Sequence, residues 1–247
     1  EPTSDVVLTI TSDDTGEATV PVSVTFTAAN WDTPQTITIT GGDDSIIDGT
    51  TTSTITIAVD DANSDDDFDA VTDQTLSVDT TDDDVAGFTI EETEGATEVD
   101  ESGSTDTFTI VLDAQPTNDV VVLATASNDE TEAIVSGSIT FTSENWDTPQ
   151  TVTVTGVDDD LVDGDQTYDI TISIVDTISD DDFDGVADQS VSSTTLDDDA
   201  PGFTIEETDA ATEVDESGST DTFTVVLDAQ PTSDVVLTIT SDDTGEA

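Results

Sequence analysis

The sequence contains no lysine, arginine, histidine, cysteine or methionine, and these absences exclude many functions before any motif is considered. Without Lys or Arg, the chain has neither a basic nucleic-acid surface nor an electrostatic contact with an anionic membrane. Without His and Cys there is no usual zinc site, imidazole base, thiol nucleophile or disulfide. A carboxylate pair acting on a glycoside stays open in principle, but we predict that the chain is not an enzyme.

The chain is rich in acidic residues. Its 61 Asp and Glu residues give a formal net charge of -61 at pH 7. Salt screens charges only beyond about 8–10 Å at ordinary ionic strength, so clustered carboxylates repel one another. Ca²⁺ takes six to eight oxygen ligands, so it can bind a cluster of carboxylates and offset their repulsion. The composition therefore predicts a calcium-binding protein.

Free Ca²⁺ is plentiful outside cells, so the calcium hypothesis indicates an extracellular or cell-surface location. The sequence has no signal peptide and no long apolar run, which is typical of a mature or internal segment of a larger protein. High charge with modest apolar content also fits disorder, but the apolar residues are too regularly placed for that alternative.

Internal repeats organise the chain. The strings FTIEET, VDESGSTDTFT and NWDTPQT each occur twice, 115 residues apart. The aromatic residues keep this spacing and are predicted to lie in the core: Phe26 and Phe141, Phe68 and Phe183, Phe88 and Phe203, Phe108 and Phe223, Trp31 and Trp146.

A second period of 229 residues relates residues 2–18 to residues 231–247, which are identical, whereas the copy starting at Pro116 differs. The chain is therefore predicted to be part of a longer tandem array that alternates two repeat types.

Alternating apolar residues within each repeat predict β-strands. In TFTIVLDA, Phe108, Ile110 and Leu112 share one face, and Val152 and Val154 alternate with threonines. Such segments separated by Asp, Asn and Gly turns indicate an all-β fold of antiparallel, immunoglobulin-like sandwiches. We predict sandwiches stacked end to end: residues 1–86 as the C-terminal part of one repeat, 87–199 as a complete repeat, and 200–247 as the start of the next.

The central repeat contains four acidic signals: VDESG at residue 99, GVDDDLVDGDQTY at residue 156, SDDDFDG at residue 179, and the triplet Asp197 to Asp199. Together with GFTIEE and TPQTVTVTG, these motifs resemble a Calx-beta domain, the sandwich of sodium–calcium exchanger regulatory loops and of many large bacterial surface proteins. The resemblance implies calcium at one end of the sandwich. Its implied ligands are Glu101, Asp158, Asp159, the Leu161 carbonyl, Asp163, Asp197, Asp198 and Asp199.

Two positions depart from the family pattern. Gln166 stands where the family has an acidic ligand just after the turn, and the family's aspartate of the middle loop has no unambiguous counterpart. The corresponding set in the preceding repeat has lost two acidic residues of the turn and is predicted to bind more weakly. Its members are Asp43, Asp44, Asp48, Asp82, Asp83 and Asp84.

The SDDDFDG loop is a weaker candidate for a second calcium. Asp180, Asp182 and Asp184 precede Gly185 as in the first half of an EF-hand loop, but the twelfth position is Val191 and no EF-hand is completed.

These features predict a structural calcium-binding repeat of an extracellular array, such as an adhesin stalk or surface filament, with calcium making the junctions between repeats rigid. Its predicted partners are neighbouring copies of the same repeat. Two alternatives stay open: a calcium-dependent adhesion module, and a filament subunit assembled by strand exchange between chains.

Overall fold

The chain was analysed as a computed structural model, which describes residues 1–93, 95–127, 131–208 and 210–242. It separates into two compact units. The first comprises Glu1–Gly87, Leu112–Asn118 and Thr142–Asp147, and the second comprises Phe88–Val111, Asp119–Phe141 and Thr148–Ala247. The repeat boundaries expected from the sequence stay a prediction. Asp129, Glu130 and the last five residues of the second 17-residue segment lie outside the described residues.

The first unit contains six strands and two short 3₁₀ helices: β1 (Val6–Ser12), β2 (Ala18–Thr19), β3 (Ser23–Phe26), β4 (Thr40–Gly41), β5 (Thr51–Val59), β6 (Gln74–Thr80), and the helices Asp61–Asn63 and Asp66–Phe68. Four strands form an antiparallel sheet in the order β3-β1-β5-β6, and β2 pairs with β4.

The second unit contains eleven strands and two 3₁₀ helices among the described residues: β7 (Phe88–Glu92), β8 (Thr97–Asp100), β9 (Thr105–Leu112), β10 (Val120–Ala126), β11 (Ala133–Val135), β12 (Ser138–Phe141), β13 (Gln150–Gly156), β14 (Gln166–Ile174), β15 (Gln189–Leu196), β16 (Phe203–Glu207), β17 (Phe223–Leu227), and the helices Asp176–Ile178 and Asp181–Phe183. No helix in the described ranges is long and apolar enough to span a membrane.

The central repeat is a β-sandwich with sheet orders β12-β10-β14-β15-β8 and β11-β13-β9-β7, so the all-β prediction is confirmed. One pairing differs from the predicted antiparallel pattern, because β8 runs parallel to β15 with Thr97 opposite Ser193 and Asp100 opposite Leu196. The cause is the path of the chain: β7 and β9 belong to one sheet, and β8 crosses to the edge of the other.

The alternation of apolar residues fills the space between the two sheets. Phe108 and Ile110 of β9, Val152 and Val154 of β13, and Ile170 of β14 are fully buried. Burial of an aromatic or branched side chain contributes roughly 1.5–3 kcal/mol, so these strands supply most of the core. Phe88, Phe141 and Phe183 are also buried, which confirms the core prediction for the phenylalanines of this repeat.

Candidate metal centre

The parallel pairing of β8 and β15 brings acidic segments together at one end of the central repeat. The ends of these two strands lie side by side, and the Glu101 N–H donates to the Leu196 carbonyl at 3.1 Å. The turn between β13 and β14 lies at the same edge, because β14 pairs with β15 and Gln166 is opposite Thr195. Sequence-distant acids at 101, 158–163 and 197–199 are therefore neighbours.

Glu101 is the most constrained of these acids, because its side chain is only 1 % exposed. The Asp198 N–H donates to its carboxylate, but its Oε2 is buried and accepts no hydrogen bond from the described residues. Burial, reinforced by the charges of Asp159 and Asp197, raises the pKa of Glu101 to about 7. An ionised Glu101 would need a cation that no side chain of this protein supplies.

The carboxylates of Glu101, Asp198 and Asp199 place one oxygen each within 4.8 Å of one another, the only such group found among the described residues. The Oδ2 of Asp199 is likewise buried without a hydrogen-bond partner in the part of the chain described. Converging oxygens with unused lone pairs fit Ca²⁺, which binds oxygen at about 2.3–2.6 Å.

Two of the predicted ligands also organise the loop that carries them. Asp197 accepts the N–H of Gly164 at 2.6 Å and of Asp199 at 2.9 Å, and Asp159 accepts the N–H of Leu161 at 2.6 Å. The carbonyl of Leu161 accepts the N–H of Asp163 at 3.1 Å. A carboxylate and a carbonyl keep further lone pairs, so these bonds hold the turn in place and leave oxygen atoms free for a metal.

The charges of the predicted ligands act on Glu101 and on Asp199. Asp159, Asp163 and Asp197 act on Glu101 through their charges. The pKa of Asp199 is raised by burial and by the charges of Asp160, Asp197, Asp198 and Asp158 in turn. The charges of the predicted ligands thus act on two carboxylates of one cluster, Glu101 and Asp199.

Glu132 is a site residue that the sequence reasoning missed. It precedes β11 and its Oε2 is buried without a partner among the described residues. Burial and the charges of Asp163 and Asp159 raise its pKa, so its carboxylate faces the same turn. Glu132 therefore adds to this cluster an acidic side chain that the sequence motifs did not include. The available signal was its recurrence, since Glu17 lies 115 residues earlier.

Gln166, the other departure from the family pattern, closes the turn. Its amide donates to the carbonyls of Asp163 at 3.2 Å and Gly164 at 2.9 Å. A glycine, Gly156, ends β13 beside this turn, and a Cβ there would collide with the Asp100 carbonyl oxygen. Both residues hold the backbone around Glu101 in one arrangement.

The first repeat gathers its predicted residues in the same way, around a small cavity of about 20 Å³, roughly enough for one water-sized occupant. It is lined by Glu17, Gly42, Asp43, Asp44, Ile46, Asp48, Thr80, Thr81, Asp82, Asp83 and Asp84. Asp82 accepts the N–H groups of Asp48, Gly49 and Asp84 at 2.8–3.0 Å, and its counterpart Asp197 accepts those of Gly164 and Asp199. Glu17 is the additional acid, and burial followed by the charge of Asp48 raises its pKa.

The SDDDFDG loop has a structural role that requires no ion. Asp180 is buried and accepts the Asp182 N–H at 3.2 Å, capping the helix Asp181–Phe183. Its counterpart Asp65 also accepts the N–H groups of Thr3 and Ser4 at 2.6 and 2.9 Å, and these backbone bonds with the Thr3 hydroxyl lower its pKa to about 2. Calcium at Asp180, Asp182 and Asp184 stays a prediction that these contacts do not favour.

In each unit, the acidic turn also contacts a second loop. This loop precedes β10 in the first case and the counterpart of β10 in the second. Within the second unit, the Gln230 N–H donates to the Asp160 carbonyl at 2.5 Å, and Leu161 bridges Gln230. Within the first unit, the Gln115 N–H donates to the Ser45 carbonyl at 2.6 Å, and Ile46 bridges Gln115. The same contact thus recurs 115 residues apart, once in each unit.

No protein-family model and no curated protein matches the chain. Among solved structures it is similar to the apo-form Calx CBD1 domain, with 16% identity over 45% of this chain and 98% of that domain and a TM-score of 0.32. It is also similar to domains 4 and 5 of the S-layer protein SbsC, with 18% identity over 76% of this chain and 70% of that one and a TM-score of 0.36. These identities and TM-scores are too low to assign a function.

Proposed function

We propose that this chain is a calcium-binding structural repeat of an extracellular array, in which Ca²⁺ at the end of each sandwich makes the junction to the next repeat rigid. The observation that carries this proposal is the fully buried Glu101, whose unpartnered oxygen meets Asp198 and Asp199 in a protein without cationic side chains. Where Glu101 is ionised, a dissolved cation is the way to balance its charge, because the protein has no cationic side chain.

Calcium fits the donor set better than other common metals. The ligands are carboxylates and a carbonyl, which exclude the sulfur and imidazole donors that zinc prefers. Magnesium requires nearly octahedral geometry at 2.0–2.1 Å and dehydrates reluctantly. The irregular cluster around Asp158, Asp159 and Asp199 suits the flexible coordination of Ca²⁺. Extracellular modules with such sites bind calcium at about 10⁻⁴–10⁻³ M.

The contacts at Gln115 and Gln230 support the junction part of the proposal. Each joins a metal-site turn to the loop of the following repeat through a backbone hydrogen bond. An ion that fixes the turn would fix this bond as well. Without an ion, repulsion among the carboxylates opens the turn and loosens the contact.

Thermal unfolding in calcium and in EDTA tests the proposal. With about 10 mM CaCl₂ and a Kd near 0.1 mM, each bound ion stabilises the fold by roughly 2.7 kcal/mol. We expect a rise in Tm of about 10 °C in calcium, and a much smaller rise in magnesium. Equal melting temperatures in calcium and EDTA would overturn the proposal.

Two variants separate a formed site from diffuse charge screening. Above pH about 7, Glu101→Gln should raise Tm in EDTA, because it removes a buried charge, and it should reduce calcium affinity measured by calorimetry. Asp169→Asn is the matched control, because Asp169 is exposed on β14 away from the cluster. Equal effects of the two substitutions would mean that calcium only screens the surface.

A further inference from the structure

One backbone carbonyl joins the two chain segments that carry the predicted ligands of the central repeat. The Glu132 carbonyl accepts the Val157 N–H at 2.9 Å and the Thr195 hydroxyl at 3.2 Å. Val157 directly precedes the acidic turn, which begins at Asp158, and Thr195 lies two residues before Asp197 of the closing triplet. The carbonyl is therefore bonded next to both acidic segments.

The first repeat contains the same pair of hydrogen bonds. The Glu17 carbonyl accepts the Gly42 N–H at 2.8 Å and the Thr80 hydroxyl at 3.0 Å. Gly42 directly precedes Asp43, and Thr80 lies two residues before Asp82. The pair of bonds thus forms twice, 115 residues apart, although the backbone donor is a glycine in one repeat and a valine in the other.

The glutamate that supplies this carbonyl also directs its side chain towards the acidic turn. The Oε2 atom of Glu132 is buried and has no hydrogen-bond partner among the described residues. Burial and the charges of Asp163 and Asp159 raise the pKa of its carboxyl group. An ionised carboxylate there meets like charges and no cationic side chain, so a dissolved cation would stabilise it.

The two hydrogen bonds of the Glu132 carbonyl join neutral groups, so they need no ion. The carboxylates of the turn and of the triplet repel one another, whereas this carbonyl holds both segments to one point of the backbone. The side-chain donor, the Thr195 hydroxyl, is fully buried and also lies 3.3 Å from the Tyr168 hydroxyl. Removal of the Thr195 hydroxyl would detach the segment before β11 from the strand that leads into the triplet.

We propose that Thr195 is a positioning residue of the metal site. Its hydroxyl fixes the Glu132 backbone beside the closing triplet and thereby holds the Glu132 carboxylate against the acidic turn before an ion binds. Thr80 does the same for Glu17 in the first repeat. A ligand that is ordered in advance loses less conformational entropy on binding, so this positioning raises calcium affinity. The inference rests on the proposed function, because the ion that it serves is Ca²⁺.

Thr195→Val tests the inference, because it removes the hydroxyl and keeps the shape of the side chain. Groups that orient metal ligands contribute roughly 10- to 100-fold to metal affinity, so we expect about tenfold weaker calcium binding by the central repeat in titration calorimetry. Thr195→Ser retains the hydroxyl and should bind calcium like the unsubstituted chain. Circular dichroism in EDTA checks that each variant is folded, and Thr80→Val provides the same test in the first repeat.

Thr194→Val is the matched control for Thr195→Val. Neighbouring side chains of a strand point to opposite faces, and the Thr194 hydroxyl lies 3.4 Å from that of Thr167. Thr194→Val should therefore leave the calcium affinity unchanged. Equal calcium affinities of Thr195→Val and Thr194→Val would overturn the inference.

A double-mutant cycle tests whether Thr195 acts through Glu132. In the Glu132→Gln background, Thr195→Val should change the calcium affinity by less than about twofold, because the carboxylate that the hydroxyl positions is gone. Additive effects of the two substitutions would mean that the hydroxyl stabilises the repeat in general, and would contradict a positioning role.

Hydrogen exchange in EDTA gives a readout that requires no metal. The Val157 N–H should exchange faster in Thr195→Val than in Thr195→Ser, because its acceptor is held by one hydrogen bond fewer. Equal exchange rates would contradict the inference. Calorimetry separates the two proposals: if the unsubstituted chain binds no calcium, both fail, whereas unchanged calcium affinity in Thr195→Val overturns the positioning role alone.

Discussion

The first repeat and the central repeat place similar strand sequences in different surroundings. In the central repeat, Ile170 and Ile172 of β14 are fully buried between two sheets. In the first repeat, Ile55 of β5 is buried in a small cluster with Ile10 and Ala18, but neighbouring Ile57 is only partly covered. Alternation of apolar residues therefore determines which face of a strand is apolar, whereas the burial of that face depends on packing against a second sheet.

The acidic clusters of the two repeats also differ. In both repeats one aspartate, Asp82 or Asp197, accepts a hydrogen bond from a backbone N–H of the turn. In both, a glutamate, Glu17 or Glu132, has its pKa raised by burial and by the aspartates of that turn. The central site contains in addition the buried Glu101 between two strands. The acidic turn therefore forms in both repeats, and the central repeat adds a buried glutamate to it.

Substitution of equivalent core phenylalanines gives the largest expected difference between the repeats. Phe141→Ala should lower the free energy of unfolding by about 3–5 kcal/mol, because it leaves a cavity in a closed core. Phe26→Ala should lower it by less, about 1–2 kcal/mol, since this side chain is only partly buried. Urea unfolding followed by circular dichroism, with hydrogen exchange to assign each transition, measures both. Equal losses would contradict the difference in burial.

In EDTA, Glu101 of the central repeat and Asp65 of the first repeat should give pH dependences of opposite sign, because the pKa of Glu101 is raised and that of Asp65 is lowered. Folded Glu101 keeps its proton up to pH about 7, whereas in the unfolded chain it ionises near pH 4.3. The folded state therefore binds more protons between these values, and stability should fall as pH rises from about 4.5 to 7, by at most about 1.4 kcal/mol per pH unit. Melting curves of the unsubstituted chain and Glu101→Gln test this, because the variant should lack that component.

Asp65 has the opposite effect. Its pKa of about 2 in the folded state lies below the unfolded value of about 3.9. Its contribution is therefore present above pH about 4 and is lost as pH falls towards 2. Asp65→Asn should remove this acid-sensitive component. If the variant loses stability at acidic pH as the unsubstituted chain does, the capping role is contradicted.

The smallest expected effect concerns one core position occupied by Tyr168 in the central repeat and Ser53 in the first. Ser193 and Thr195 donate to the Tyr168 hydroxyl at 3.1 and 3.3 Å, whereas the buried Ser53 hydroxyl has no partner among the described residues. Tyr168→Phe should cost about 1 kcal/mol. Ser53→Ala should be neutral or stabilising by less than about 1 kcal/mol. Differential scanning calorimetry of both variants checks the opposite signs.

The strand pattern and the acidic turns were accessible from the sequence because both are local. Alternation identified the buried faces of β9, β13 and β14, and the 115-residue period located equivalent turns. The parallel pairing of β8 with β15 was not accessible, because it depends on which sheet a short four-residue strand joins. Glu132 was missed for a related reason, since a single glutamate before a three-residue strand carries no local metal signature.

The exposure of the aromatic residues also required the structure. Phe108 and Phe223 occur in the same sequence context, yet one is fully buried and the other is 41 % exposed. Periodicity alone cannot tell them apart, because the difference lies in the strands that surround them. Asp65 and Asp180 show the same limit: their spacing suggests an ion loop, whereas their hydrogen bonds cap a helix.

The parallel contact between β8 and β15 determines how the central repeat responds to mechanical tension. β8 lies near the start of the repeat and β15 near its end, and the two strands run in the same direction. Pulling the ends of the repeat apart therefore slides the strands past each other and loads their hydrogen bonds together, whereas peeling would break them one at a time. Glu101 directly follows β8 and Asp197 directly follows β15, so an ion at this end would fasten the pair where it resists sliding.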